Sequence, residues 1–257
     1  MKNLNKNRIV ALMAVATAIS ACTTHYSVSS IERTRVMINQ TYDRPMTDDV
    51  KTFMLPFQAK VDSLMSPVIG KAARPLQPYR PESPLSNLLP DVLMWAGKLY
   101  GEKPDFGIYN MGGIRASLAQ GDITIGDVFD VAPFENKITF ITLSGKKVTE
   151  LMEQIAYRGG EGVSHEVSII ITPDRKLVQA TINGQPIDPN ASYRVATIDY
   201  VSHGNDRMTA FIDGTDRREM KSDDDLTRSI FMKYIKEKTA AGQLIDCPVE
   251  GRITVRK

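Results

Sequence analysis

Between Leu88 and Val255 the apolar residues fall into short runs that switch repeatedly between helix and strand spacing, and this alternation restricts the fold more than any other feature. Residues 88–100 read as a helix whose apolar side packs on a sheet. Residues 105–110 read as a buried strand that delivers Asn110 at its end. Residues 123–125 and 137–143 show the β-branched and aromatic alternation of strands, and a helix pattern follows each. The second of these helices opens at Ser144 and Gly145 and runs to about Arg158, with Val148, Leu151, Met152 and Ile155 as its core stripe. Three more strands are predicted at 167–171, 177–182 and 193–197, with an Asn183-Gly184 turn after the second. A helix from Asp225 to about Lys238 and a strand from Gly251 to Val255 complete the pattern. Several neighbouring strands read as hairpins, so the expected fold class is α+β, a mixed β-sheet layered with helices.

The N-terminal part follows different rules. Lys2, Lys6 and Arg8 precede an apolar run from Ile9 to Ile19 and then Ser20-Ala21-Cys22. This is the order of a secretory signal, and the run falls short of the roughly 20 residues of a membrane span. Ile-Ser-Ala-Cys resembles the bacterial lipoprotein processing box, which would make Cys22 the lipidated first residue of an exported, membrane-anchored protein, periplasmic or at the cell surface. An ordinary cleaved leader with an incidental cysteine is the alternative. Cys247 is the other cysteine, so a disulfide scaffold is excluded. Without the three basic groups of the leader, 29 basic residues face 30 acidic ones. The basic patch of a nucleic-acid binder is therefore not expected.

Residues 23–41 read as a Ser/Thr-rich tether or a first edge strand. Thr47 is placed to cap a helix carrying Val50, Phe53, Met54, Phe57, Val61 and Leu64 at spacings of three and four. Pro56 would kink that helix and Pro67 would help to end it. Pro75, Pro78, Pro81 and Pro84 make residues 72–84 an extended linker. The expected divisions are a lipoprotein signal over 1–21, a tether, helix and Pro-rich linker over 22–80, and the α+β domain over 81–257.

The chemistry is concentrated in two segments. In Tyr109-Asn-Met-Gly-Gly-Ile-Arg115 the paired Gly112 and Gly113 allow a tight turn and a close approach to a ligand, flanked by the amide of Asn110 and the fixed cation of Arg115. In Ile198-Asp-Tyr-Val-Ser-His-Gly-Asn-Asp206 an aromatic, Tyr200, precedes a polar turn with Gly204 and Asp206. Ala132-Pro-Phe134-Glu-Asn136 lies between them, Glu82-Ser-Pro-Leu-Ser-Asn87-Leu upstream and Val249-Glu-Gly-Arg-Ile253 at the close. At these residues the chain resembles the C-terminal, substrate-binding domain of the 5'-nucleotidase and UDP-sugar hydrolase family. The resemblance runs from Glu82 to the C-terminus, about two thirds of the chain.

The resemblance implies that Phe134 and Tyr200 sandwich a base, at about 1–3 kcal/mol per stack. It further implies that Arg115 meets phosphate or ribose oxygens, that Asn110 faces the ribose or the reacting phosphate, and that Asp206 accepts from ribose hydroxyls. The chain departs from the family in having His203 where an Asn is usual, Tyr200 where Phe is frequent and Met111 where a second Asn is frequent. Family hydrolysis runs on two divalent metals held by Asp, His and Asn in a separate domain. Here His25, His165 and His203 occur without an Asp-x-His or Asn-His-Asp/Glu pattern. No catalytic residue and no metal ligand is therefore assigned in this chain, and the two metals are expected in a partner metallophosphatase. Three functions stay open: the nucleotide-binding half of a split phosphohydrolase, a non-catalytic nucleotide-binding lipoprotein, and a structural or vestigial lipoprotein. Ser144-Gly-Lys-Lys147 matches a Ser-x-x-Lys nucleophile pattern but reads as a helix cap, and Asp223-Asp-Asp225 reads as the acidic start of a helix.

Overall fold

The computed structural model describes residues 28–35 and 47–256. Cys22, His25 and the proposed leader lie outside the described residues. Residues 28–35 belong to the first of two units, which divide after Lys51, and are exposed, outside any helix or strand. Helix α1, Asp48–Met65, forms as the spacing predicts and runs through Pro56. None of its residues is buried, so its apolar positions are exposed instead of facing a core. No helix among the described residues is long and apolar enough to cross a membrane.

The domain begins earlier than the sequence suggested. Strand β1, Val68–Ala72, pairs antiparallel with β3, Gly121–Thr124. Leu76 bridges to Leu118 and is fully buried, as are Ile69 and Ala72 nearly so. The 72–84 segment is thus part of the domain rather than a linker into it, anchored at Ala72, Leu76 and residues 82–84: its prolines are spaced widely enough to leave Leu76 and its backbone available for pairing.

Helix α2, Pro84–Tyr100, starts four residues before the expected position because Ser83 and Ser86 form a reciprocal capping box and Pro84 is preset for the first turn. It ends at Gly101, in the left-handed conformation at φ 68°. Its buried face, including Leu85, Leu88, Leu89, Val92, Leu93 and Ala96, packs on a five-stranded mixed sheet. That sheet has the order β10-β4-β9-β2-β5, formed by Thr215–Glu219, Ile138–Ser144, Ser192–Ile198, Phe106–Tyr109 and Gly162–Val163. A side chain on Gly107 would lie 2.8 Å from the Pro90 carbonyl, so glycine lets helix and strand approach closely.

A second sheet has the order β11-β6-β7-β8, with Ile253–Val255, Val167–Ile171, Leu177–Ile182 and Gln185–Pro186. Asn183 and Gly184, both at positive φ, make the expected hairpin turn between β7 and β8. Helix α3, Ile125–Val131, follows β3, and helix α4, Gly145–Tyr157, lies against both larger sheets. Ser144 caps α4 through the Lys147 N–H, which gives the Ser-x-x-Lys sequence a structural role. A short α5, Asp199–Ser202, and a final α6, Thr227–Ala240, complete the helices. Asp223–Asp225 forms a 3-10 turn ahead of α6, capped by Ser222. Parallel and antiparallel pairs coexist in both larger sheets, and the architecture is the expected α+β.

The register of the five-stranded sheet brings four loops to one end. β2 and β9 are parallel neighbours, so Asn110 and Asp199–Ser202 emerge side by side. β4 runs antiparallel to β9 with Ile138 opposite Ile198, which sets residues 134–137 beside the same exit. β5 runs antiparallel to β2 with Gly162 opposite Tyr109, which sets Glu161 beside Asn110.

Candidate functional site

At this end of the sheet Asn110, Gly112, Gly113, Phe134, Asn136, Tyr200 and Asp206 line one cleft of about 190 Å³. This is smaller than the roughly 300–1,000 Å³ of pockets that enclose drug-sized ligands, and it suits a flat ring system whose substituents project outward. Phe134 and Tyr200 remain 46% and 41% exposed although both are large and apolar. Each ring is carried on a fixed backbone. Arg228 of α6 donates to the carbonyls of Pro133 and Phe134 at 3.1 and 3.3 Å, and Asn205 Nδ2 donates to the Tyr200 carbonyl at 2.8 Å.

The polar side of the cleft is built around Asn110. Its side chain is buried, and Nδ2 donates to Asp206 Oδ2 at 2.6 Å. Its Oδ1 has no hydrogen-bond partner among the described residues. Residues Met111–Gly113 form a single 3-10 turn. Neither glycine adopts a positive φ, so the reason for glycine here is space. A Cβ on Gly113 would lie 2.7 Å from Asn110 Oδ1, and one on Gly112 3.3 Å from Asp206 Oδ2. The close approach is therefore made to the site's own side chains. Asp206 sits at φ 54°, and Gly204, at φ 84°, packs where a Cβ would be 2.6 Å from Ile212 Cγ1. Gly204 thus shapes the loop without lining the cleft. Arg115 is exposed, pairs with no carboxylate among the described residues and has its guanidinium 6.0 Å from the Phe134 ring centroid.

Glu161 is the functional neighbour that sequence reasoning missed. Its side chain is completely buried, forms ion pairs with Arg80 and Arg158, and accepts from the Met111 N–H at 2.5 Å. Arg158 Nη2 also lies 3.7 Å from Asp206 Oδ1. One buried carboxylate therefore ties the 111–113 turn to the helix end that steadies Asp206. The available signal was Arg158-Gly-Gly-Glu161, a pair of glycines followed by an acid. Gly160, at φ 110°, lies so close to Pro81 that a Cβ would be 2.2 Å from the Pro81 carbonyl oxygen. Asn136 was also missed as a lining residue, although it closes the quoted Ala132–Asn136 segment.

Residues 68–213 match the model of the 5'-nucleotidase C-terminal domain. The chain belongs to this family. Protein UshA of Escherichia coli is 28% identical over 159 residues, 60% of this chain and 29% of that protein. The trifunctional nucleotide phosphoesterase protein YfkN of Bacillus subtilis is 30% identical over 187 residues, 67% of this chain and 12% of that protein. The crystal structure of a 5'-nucleotidase precursor from Thermus thermophilus superposes with a TM-score of 0.68 at 27% identity, covering 80% of this chain and 43% of that one. The chain thus spans less than a third of the curated relatives it matches.

The two-metal centre implied by the resemblance does not fit the residues described. Among them no three His, Cys, Asp or Glu side chains gather in a group able to hold a metal ion. His203 Nδ1 donates to the Asp199 carbonyl at 2.8 Å within its own loop, and Nε2 lies 3.1 Å from Glu219 Oε1. His165 lies in a turn, where its hydrogen bond to Glu250 raises its pKa above the ordinary histidine value. Cys247 is a free, buried thiol whose pKa is pushed up to about 12 by burial.

Proposed function

We propose that this chain is the nucleotide-binding half of a 5'-nucleotidase-type phosphohydrolase, taking a nucleotide or nucleotide-sugar, with hydrolysis supplied by a separate metallophosphatase chain. The observation that carries the reading is the pair of exposed rings, Phe134 and Tyr200, opening onto the same small cleft as Asn110 and Asp206. An aromatic base stacks on such rings. The carboxylate of Asp206, held by Asn110 Nδ2, accepts from the ribose hydroxyls. Arg115, outside the cleft wall and free of carboxylates among the described residues, provides a charge-assisted donor for phosphate. The leader and Cys22 support export and lipid anchoring to the bacterial membrane.

Calorimetry with the purified protein is expected to show binding of AMP and none of ribose 5-phosphate at the same concentrations, because the base supplies the stacking. In the same preparation, AMP or UDP-glucose with added manganese is expected to release no phosphate above the protein-free rate. Phosphate release that a chelator abolishes would overturn the division of labour, and equal binding of ribose 5-phosphate would overturn the base-stacking role.

A further inference from the structure

Next to the base cleft lies a wider groove of about 410 Å³, lined by Arg80, Tyr157, Arg158, Asp174, Arg175 and Arg207. The two are joined through Asp206, which lines the first and lies 3.7 Å from Arg158 of the second. Four guanidiniums on one concave surface repel one another unless negative charge is supplied. Arg80 and Arg158 share the buried carboxylate of Glu161. Arg175 and Arg207 are exposed and form no ion pair among the described residues, while the acid on the groove wall, Asp174, is engaged by Lys176 at 2.9 Å. Arg207 is steadied instead by Tyr157, donating to its hydroxyl at 3.2 Å with the guanidinium 5.7 Å from the ring centroid.

The backbone adds an independent sign. Arg175 and Arg207 both hold the left-handed conformation, at φ 65° and 61°. A side chain of this size seldom takes it, and residues held this way cluster at ligand clamps. Two guanidiniums without an ion-pair partner among the described residues, on a groove that Arg158 and Arg80 also line, supply the kind of donor that recognises phosphate oxygens.

We propose that this groove binds a multiply charged phosphate group, a di- or triphosphate, with Arg175 and Arg207 as its main ligands and Arg158 behind them. The anion has two possible sources: the distal phosphates of a nucleotide whose base occupies the neighbouring cleft, or a free oligophosphate. The first source rests on the nucleotide reading above, and the anion site itself does not.

The test is calorimetric titration of the full purified chain with inorganic tripolyphosphate, for the wild type and for the double variant Arg175→Asn, Arg207→Asn. Asn tolerates the left-handed backbone, so the charge is removed without adding strain, and thermal melting checks the fold. Wild-type binding weakened at least tenfold in the double variant is the expected result. If the double variant melts early, Arg175→Asn alone, in an exposed loop, carries the same test. A second arm compares ATP with AMP. Tighter binding of ATP that the double variant abolishes assigns the anion to the nucleotide, whereas equal binding of ATP and AMP beside retained tripolyphosphate binding assigns it to a free oligophosphate. Tripolyphosphate binding without AMP binding would sink the base-cleft reading and leave the anion site standing. No tripolyphosphate binding by the wild type, or equal binding by the variants, would overturn the proposal.

Discussion

Glu161→Ala is expected to destabilise the protein by about 3 kcal/mol, at the lower end of the roughly 3–5 kcal/mol cost of breaking a buried ion pair. The substitution removes the shared partner of Arg80 and Arg158 and the acceptor of the Met111 N–H in one step. The lower end applies because the Arg80 side chain is 38% exposed and recovers much of its hydration, whereas that of Arg158 is only 19% exposed. Glu161→Gln keeps the volume and an acceptor for Met111, so it should fall between the wild type and Glu161→Ala. Urea denaturation separates the cases: the midpoint should move with little change in slope. A loss below about 1 kcal/mol, within the range of an ordinary single hydrogen bond, would show that Glu161 is not the tie between the turn and the helix end.

The double variant Phe134→Ala, Tyr200→Ala is expected to lose about 2–6 kcal/mol of AMP binding, from roughly 1–3 kcal/mol for each stacked face. With a factor of ten for every 1.4 kcal/mol, the affinity should fall by about thirtyfold or more. Stability should hardly change, because both rings are more than two-fifths exposed and an exposed substitution typically shifts stability by about 0.5 kcal/mol or less. That separation distinguishes a binding surface from a core cluster. Calorimetry and thermal melting on the same samples read both quantities. An unchanged affinity would place the base elsewhere, and a large drop in melting temperature would mean that the rings support the fold.

Much of this was legible in the chain. The strand that delivers Asn110, the helix stripe of Val148, Leu151, Met152 and Ile155, and the Asn183-Gly184 hairpin all follow from local periodicity and turn chemistry, and all are present. The convergence of Asn110, Phe134, Tyr200 and Asp206 on one cleft was reached through the resemblance, since local pattern does not reveal which loops share a sheet end. That information lies in the register, with Ile138 opposite Ile198 and Gly162 opposite Tyr109.

The misreadings have physical causes. Four prolines suggested a linker over 72–84, but the core contacts there are made by the isolated Ala72 and Leu76, too few to produce a periodic signal before the helix begins. β10, Thr215–Glu219, was not foreseen because its sequence, Thr-Asp-Arg-Arg-Glu, is almost wholly charged; it is an edge strand, held by pairing to β4. Glu161 escaped notice because a carboxylate is ordinarily a surface group, and its burial depends on two arginines separated from it by very different lengths of chain.

The most direct test is a crystal structure of the protein with AMP bound. The base is expected between Phe134 and Tyr200, with the ribose hydroxyls on Asp206 and the phosphate toward Arg115. Adenine bound away from both rings, with the cleft left open in the presence of saturating AMP, would contradict the assignment of this cleft as the nucleotide site.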